Sequence, residues 1–178
     1  MRSFVLKLAA RFIGAAALVL LLTPVLQAKQ LTQKDYLSSL EADKIRDAET
    51  INEKVSLYLT FAEDRLKKFQ YELAHPALAR HEETLNGLMN GYQSCVDDAA
   101  ALLPEGTENQ QNIRAGVDLM ASKTKGFLDI LHKIQTDGIQ LEVYKDNLDD
   151  AIEGTTDAMN EAEKDKKKVT APPVRRRN

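Results

Sequence analysis

Residues 50–76 read TINEKVSLYLTFAEDRLKKFQYELAHP, and their spacing decides the fold. Thr50-Ile51-Asn52-Glu53 is a capping box: the Thr hydroxyl accepts from the first-turn backbone and the Glu carboxylate reaches back to the cap. Val55, Leu59, Ala62, Leu66, Phe69 and Leu73 then recur at three- and four-residue steps. That is one apolar stripe down a helix. His75 precedes Pro76, which steers it out of the helical region and ends the helix there. A helix over 51–74 is expected.

The same pattern repeats downstream. After Pro76 the stripe is Leu78, His81, Leu85, Leu88, Tyr92, Cys95, Ala99, Leu102. After Gly106 it is Ile113, Val117, Met120, Thr124, Phe127, Leu131, Ile134. After Gly138 it is Leu141, Tyr144, Leu148, Ala151, Thr155, Ala158, Ala162. All these positions but His81, Thr124 and Thr155 are hydrophobic, about twice what a composition of 43% hydrophobic residues would place there by chance. No segment has the apolar–polar alternation of a strand.

The punctuation sets boundaries. Pro76 can open a helix, Pro104-Glu105-Gly106 reads as a turn, and Thr107-Glu108-Asn109-Gln110 repeats the capping box. Asp137-Gly138 fits a left-handed helix end. Helices are expected at 33–48, 51–74, 77–103, 108–136 and 140–164. The last four are long, amphipathic and joined by short links, so sequential helices should fold back as antiparallel neighbours. The fold class is all-α: an up-down-up-down four-helix bundle over 51–164, with a short N-terminal helix and its connection within 29–50. Asn86-Gly87 and Asn90-Gly91 fall inside the third helix. They read as a close approach of the first bundle helix to a smooth backbone, as a hinge or kink that exposes a groove, or as a true break of the helix.

Residues 1–28 read as a secretory signal. Arg2, Lys7 and Arg11 make a basic start, Phe12 to Leu22 is an uncharged apolar run, and Ala28 offers a small residue at the cut after Pro24. The run is short for a bilayer span; an uncleaved anchor is the alternative. The expected destination is the periplasm or the medium. The formal net charge of −3 includes three basic residues and no acids in that segment. Without it the chain carries −6, distributed as −11 over 29–162 and +5 over 163–178. An acidic body repels nucleic acid and anionic membranes, so only the 165–178 tail would attract them. That tail, with Lys166, Lys167, Lys168, Arg175, Arg176 and Arg177, is low in apolar residues and interrupted by Pro172-Pro173. It reads as disordered, a solubilising end or a weak tether to an anionic envelope polymer or membrane surface.

Chemistry-bearing residues are few. Cys95 is the one cysteine, has no internal partner, and sits on a stripe where a thiol acts as a small hydrophobe. Glu72-x-x-His75 and Asp129-x-x-His132 have the carboxylate–histidine spacing of metal-binding bundles, and His75, His81 and His132 fall at one bundle end. Asp129 and His132 lie off their stripe, however, and only His81 sits on a seam. Those residues are the candidates if a metal is held; the expectation is no metal and no cofactor. The plan is similar to that of small exported cytochrome bundles, which clamp haem between a Met and a His at one end. Met89, Met120 and Met159 lie mid-helix or at the other end, so the likeness covers topology only. The acidic pairs Glu82-Glu83, Asp97-Asp98 and Asp149-Asp150 point apart on their helices and read as solvated surface. No nucleophile–His–acid arrangement, phosphate loop or calcium loop is present. The functional expectation is an exported, non-enzymatic bundle acting by surface contact with a protein partner or a second copy, in a structural or chaperone-like role. The alternative is a metal- or ligand-binding bundle using the histidine-bearing end.

Overall fold

The computed structural model describes residues 35–168. The expected export signal and the tail beyond Lys168, with Arg175, Arg176 and Arg177, lie outside the described residues. Five helices follow in order: α1 (Ser39–Asp47), α2 (Ile51–Ala74), α3 (His81–Glu108), α4 (Arg114–Asp137) and α5 (Leu141–Lys168). The fold is all-helical, a short α1 followed by four long helices in a bundle. No described helix is long and apolar enough to cross a membrane.

The helices run alternately up and down, and the side-chain contacts give their arrangement. Arg65 of α2 lies against Gly91 of α3, and Ile51 against Gly106, which makes those two helices antiparallel neighbours. Gln135 donates to Asp149 and Lys166 pairs with Asp118 at 3.3 Å, which does the same for α4 and α5. Parallel contacts join the two pairs. Lys123 of α4 meets Glu63 of α2 at 2.7 Å, and Tyr92 of α3 meets Thr155 of α5 at 2.7 Å. Going round the bundle, the order is therefore α2, α3, α5, α4. The helices α3 and α4, consecutive in the chain, face each other across the diagonal, where Tyr92 and Phe127 stack edge-on at 5.6 Å. Expected adjacency of sequential helices fails at this one link. Residues 109–113 can reach up to about 17 Å when extended. The diagonal of helices packed 8–10 Å apart is roughly 13 Å, so the link spans it.

The core is the set of expected stripes, closed on itself. From Val55 to Phe69 on α2, Leu85 to Ala99 on α3, Val117 to Ile134 on α4 and Tyr144 to Ala162 on α5, most stripe positions are buried, as is Ile113 just ahead of α4. Met89 and Val96 join them from the adjacent seam of α3. Polar groups inside are bonded within the core. The Thr124 hydroxyl donates to Met120 O, and Thr155 donates to Ala151 O while bonding Tyr92. Burial pushes the Tyr92 phenol well above its ordinary value.

Five boundaries differ from expectation. α1 starts at Ser39, not at 33: residues 35–38 are non-helical, and the Ser38 hydroxyl caps the helix by accepting from Glu41 N–H at 3.3 Å. The third helix starts at His81, not at 77: Arg80 takes a left-handed conformation with φ 61°, and the Glu72 carboxylate accepts from Ala77 N–H, fixing 75–80 as a loop. Leu78, expected on the stripe, is 109% exposed in that loop. At its other end α3 runs through Pro104 to Glu108. Buried Leu103 and Gly106 pack against the core on either side of the exposed Pro104, and this tertiary contact outweighs the lost N–H bond. Thr107 is therefore no cap; its hydroxyl donates back to Leu103 O. α4 begins at Arg114 and is capped from another helix: Asn52 Oδ1 accepts from Gly116 N–H at 2.8 Å, and Asn52 Nδ2 donates to Asn112 O at 2.7 Å. α5 extends to Lys168, so the first four residues of the expected tail are helical. Basic residues suit a last turn, and no proline intervenes before Pro172.

Candidate functional site

The ends of α2 and α4 and the starts of α3 and α5 meet at one end of the bundle. There the His81 ring, partly buried, lies between two side chains. Its Nδ1 is 2.6 Å from Glu72 Oε1 and its Nε2 is 2.7 Å from Gln140 Oε1. Glu72 Oε1 also accepts from Ala77 N–H at 3.0 Å. One imidazole thus ties the last turn of α2, the first residue of α3 and the α4–α5 loop together. The hydrogen bond to Glu72 raises the His81 pKa above its ordinary value, and the same contact holds the Glu72 carboxyl below its own.

Of the four large apolar side chains exposed among the described residues, three stand on segments that meet at this end, and the fourth, Leu40, is on α1. Leu78 stands in solvent on the α2–α3 loop, and Ile139 is exposed on the α4–α5 loop. Tyr71 is exposed and stacks on the His75 ring at 4.5 Å between centroids. Below Ile139 a cleft of about 180 Å³ opens between Leu73, Ala74, Ile134 and Tyr144. Tyr144 closes its floor, donating to Ile139 O at 2.7 Å and meeting Phe69 edge-on at 4.9 Å. The Glu72–His81–Gln140 bridge joins the 75–80 loop, which carries Leu78, to the α4–α5 loop, which carries Ile139.

The other candidates are scattered. His75 Nδ1 lies 3.2 Å from Tyr71 O on the exposed surface, and His132 and Asp129 face solvent. Among the described residues no group of three or more His, Cys, Asp or Glu side chains gathers where it could hold a metal ion. Cys95 is buried. Met89 and Met120 are core residues. Lys166 pairs with Asp118, while Lys167 is exposed. Glu83 pairs with Arg80 and Asp149 with Lys145, both on the surface. At the opposite end of the bundle a cleft of about 620 Å³ is lined by Pro104, Ile113, Gln111, Asn112, Glu161 and Lys164 among others.

One charged cluster is not foreshadowed by any motif. Arg65 is buried on α2 beside Gly91. Its guanidinium takes Glu41 of α1 in both arms, at 2.7 and 2.9 Å, and donates to Tyr36 O at 2.9 Å and Phe61 O at 3.1 Å. The pairing pulls the Glu41 carboxyl down to about 2. Close approach explains the Asn-Gly pairs in part: Gly91 leaves room for Arg65, while nothing approaches Gly87. The signal available in sequence was weak, since Arg65 and Glu41 are 24 positions apart. No protein-family model, curated protein or solved structure matches the chain.

Proposed function

We propose that this chain is an exported, non-enzymatic helical bundle that works by surface contact in the cell envelope, with the tip formed by Tyr71, Leu78 and Ile139 as its contact surface. The observation that carries the reading is the placement of these three exposed apolar side chains. They sit on two loops and a helix end held together by one hydrogen-bonded bridge, above a core whose own stripes are spent on each other. Exposed large apolar groups gathered in one place mark interaction sites, whereas single ones need no explanation. The partner is an apolar protein surface or a second copy of the chain. The exposed Lys167 and the basic residues beyond it offer a second, electrostatic contact.

Site-specific photocrosslinking tests this. A photoreactive residue at position 78, in cells exporting the protein, gives a discrete crosslinked product; the same residue at the exposed Asp157 on the flank of α5 gives none. Indistinguishable patterns from 78 and 157 overturn the assignment of the tip. Stoichiometric metal or haem in the purified protein overturns the contact reading as a whole. Delayed aggregation of a client protein, lost on Leu78→Glu, places the contact in a chaperone-like role; no delay leaves a static scaffold. N-terminal sequencing of exported protein starting at Lys29 is the expected outcome for the signal.

A further inference from the structure

The bridge at the tip has a proton requirement. A neutral imidazole carries one N–H, an imidazolium two. Both ring nitrogens of His81 face oxygens, Glu72 Oε1 and Gln140 Oε1. Only the imidazolium donates to both. The backbone beside it is strained: Arg80, immediately before His81, has φ 61°, and Gln140, its partner, has φ 52°. Side chains other than Gly adopt that region at a cost. Strain on both sides of a bridge favours its release when a bond is lost.

We propose that His81 is a pH-operated clasp: doubly protonated, it ties the end of α2 and the 75–80 loop to the α4–α5 loop, and loss of one proton releases the loop that carries Leu78. The groups around it leave Glu72 as its charged partner. Just ahead of its helix Arg80 is drawn to Glu83 at 2.6 Å, and on the helix itself Glu82 is exposed. Asp137 of α4 and Glu142 of α5 act on Tyr144. Because the His81 pKa is raised, the clasp is complete below the ordinary imidazole value near 6.5 and is lost as pH rises through its own higher value. Glu72, with its carboxyl lowered, keeps its half of the contact until pH falls below the ordinary carboxylate value of 4.5. That pH then gates contact at the tip rests on the function proposed above; the clasp itself does not.

Nitrogen NMR of the His81 ring in the purified protein, with amide exchange read at Ala77, decides it. Below neutral pH both ring nitrogens are protonated, and the titration midpoint lies above about 6.5. Across that midpoint the Ala77 protection factor falls roughly tenfold, the equivalent of one charge-assisted hydrogen bond. Glu72→Gln lowers the midpoint, and His81→Gln makes Ala77 protection low and independent of pH. A neutral His81 throughout, with the Gln140 amide turned to donate, overturns the clasp. So does Ala77 protection indifferent to the charge on His81, and titration of the unsubstituted protein alone distinguishes these results. Crosslinking from position 78 at pH 6 and pH 8 reads the gating separately, so an absent crosslink leaves the clasp standing and an unchanged one removes only the gating.

Discussion

Glycine plays opposite parts at two positions of α3. At Gly87 a Cβ would meet nothing within 4 Å, so the residue only loosens the helix. Gly87→Ala is expected to raise stability by about 0.5–1 kcal/mol, seen as a higher urea midpoint. At Gly106 a Cβ would stand 2.3 Å from Ile113 Cγ2 and 3.2 Å from Ile51 Cδ1. Gly106→Ala is expected to lower stability by about 1–3 kcal/mol despite its better propensity, because the clash forces the α3–α4 link off the core. A lower midpoint for Gly87→Ala, or an unchanged one for Gly106→Ala, contradicts this packing. In sequence Gly87 reads as helix-internal and Gly106 as part of a turn, yet both lie within α3. What separates them is the atoms brought against them from distant positions. Arg65 was hidden in the same way. It reads as one more charge on a polar face until Glu41 and the Tyr36 carbonyl are brought over it.

Among the elements, α2 was the most legible. Its cap, its stripe and its terminal His75-Pro76 agree, and the observed Ile51–Ala74 has the expected bounds. The start of α4 was illegible because its cap comes from another helix. Asn52→Ala is expected to cost about 1 kcal/mol and to expose the Gly116 amide to exchange, while the Thr50 capping box of α2 stays intact. α1 contributes no buried residue of its own and is held by the Glu41–Arg65 pair, with Leu37 just ahead of it. Glu41, lowered to about 2, lends stability fully present above 4.5 and lost as pH falls toward 2. Acid therefore undocks α1 over that window, read as exchange broadening of Ser39–Asp47 amides. In Glu41→Gln the undocking no longer follows pH. Arg65→Ala, which strands a partly buried carboxylate, is expected to cost about 3 kcal/mol.

At the scale of the molecule, periodicity in the chain was enough for the all-helical class and the core. It could not show that the α3–α4 link crosses the bundle end, because that depends on which stripes fit together. The histidine-bearing end was legible as a place; its bridge was not, since Gln140 is polar, belongs to no stripe and lies 59 positions from His81. Charge is a further whole-chain property. Truncation after Val169 is expected to weaken retention on anionic beads at low salt, with the difference gone near 1 M, where screening acts within about 3 Å. Equal retention at low salt removes the tether.

The crossing link makes the domain two hairpins, α2–α3 and α4–α5, laid side by side and strapped together once. A strap is easier to dispense with than a hinge. Opening the chain within residues 109–113 should leave two fragments that find each other again in the test tube. Shortening the same strap until it cannot cross should set the hairpins to trading partners between molecules, yielding an intertwined pair with the original core rebuilt twice.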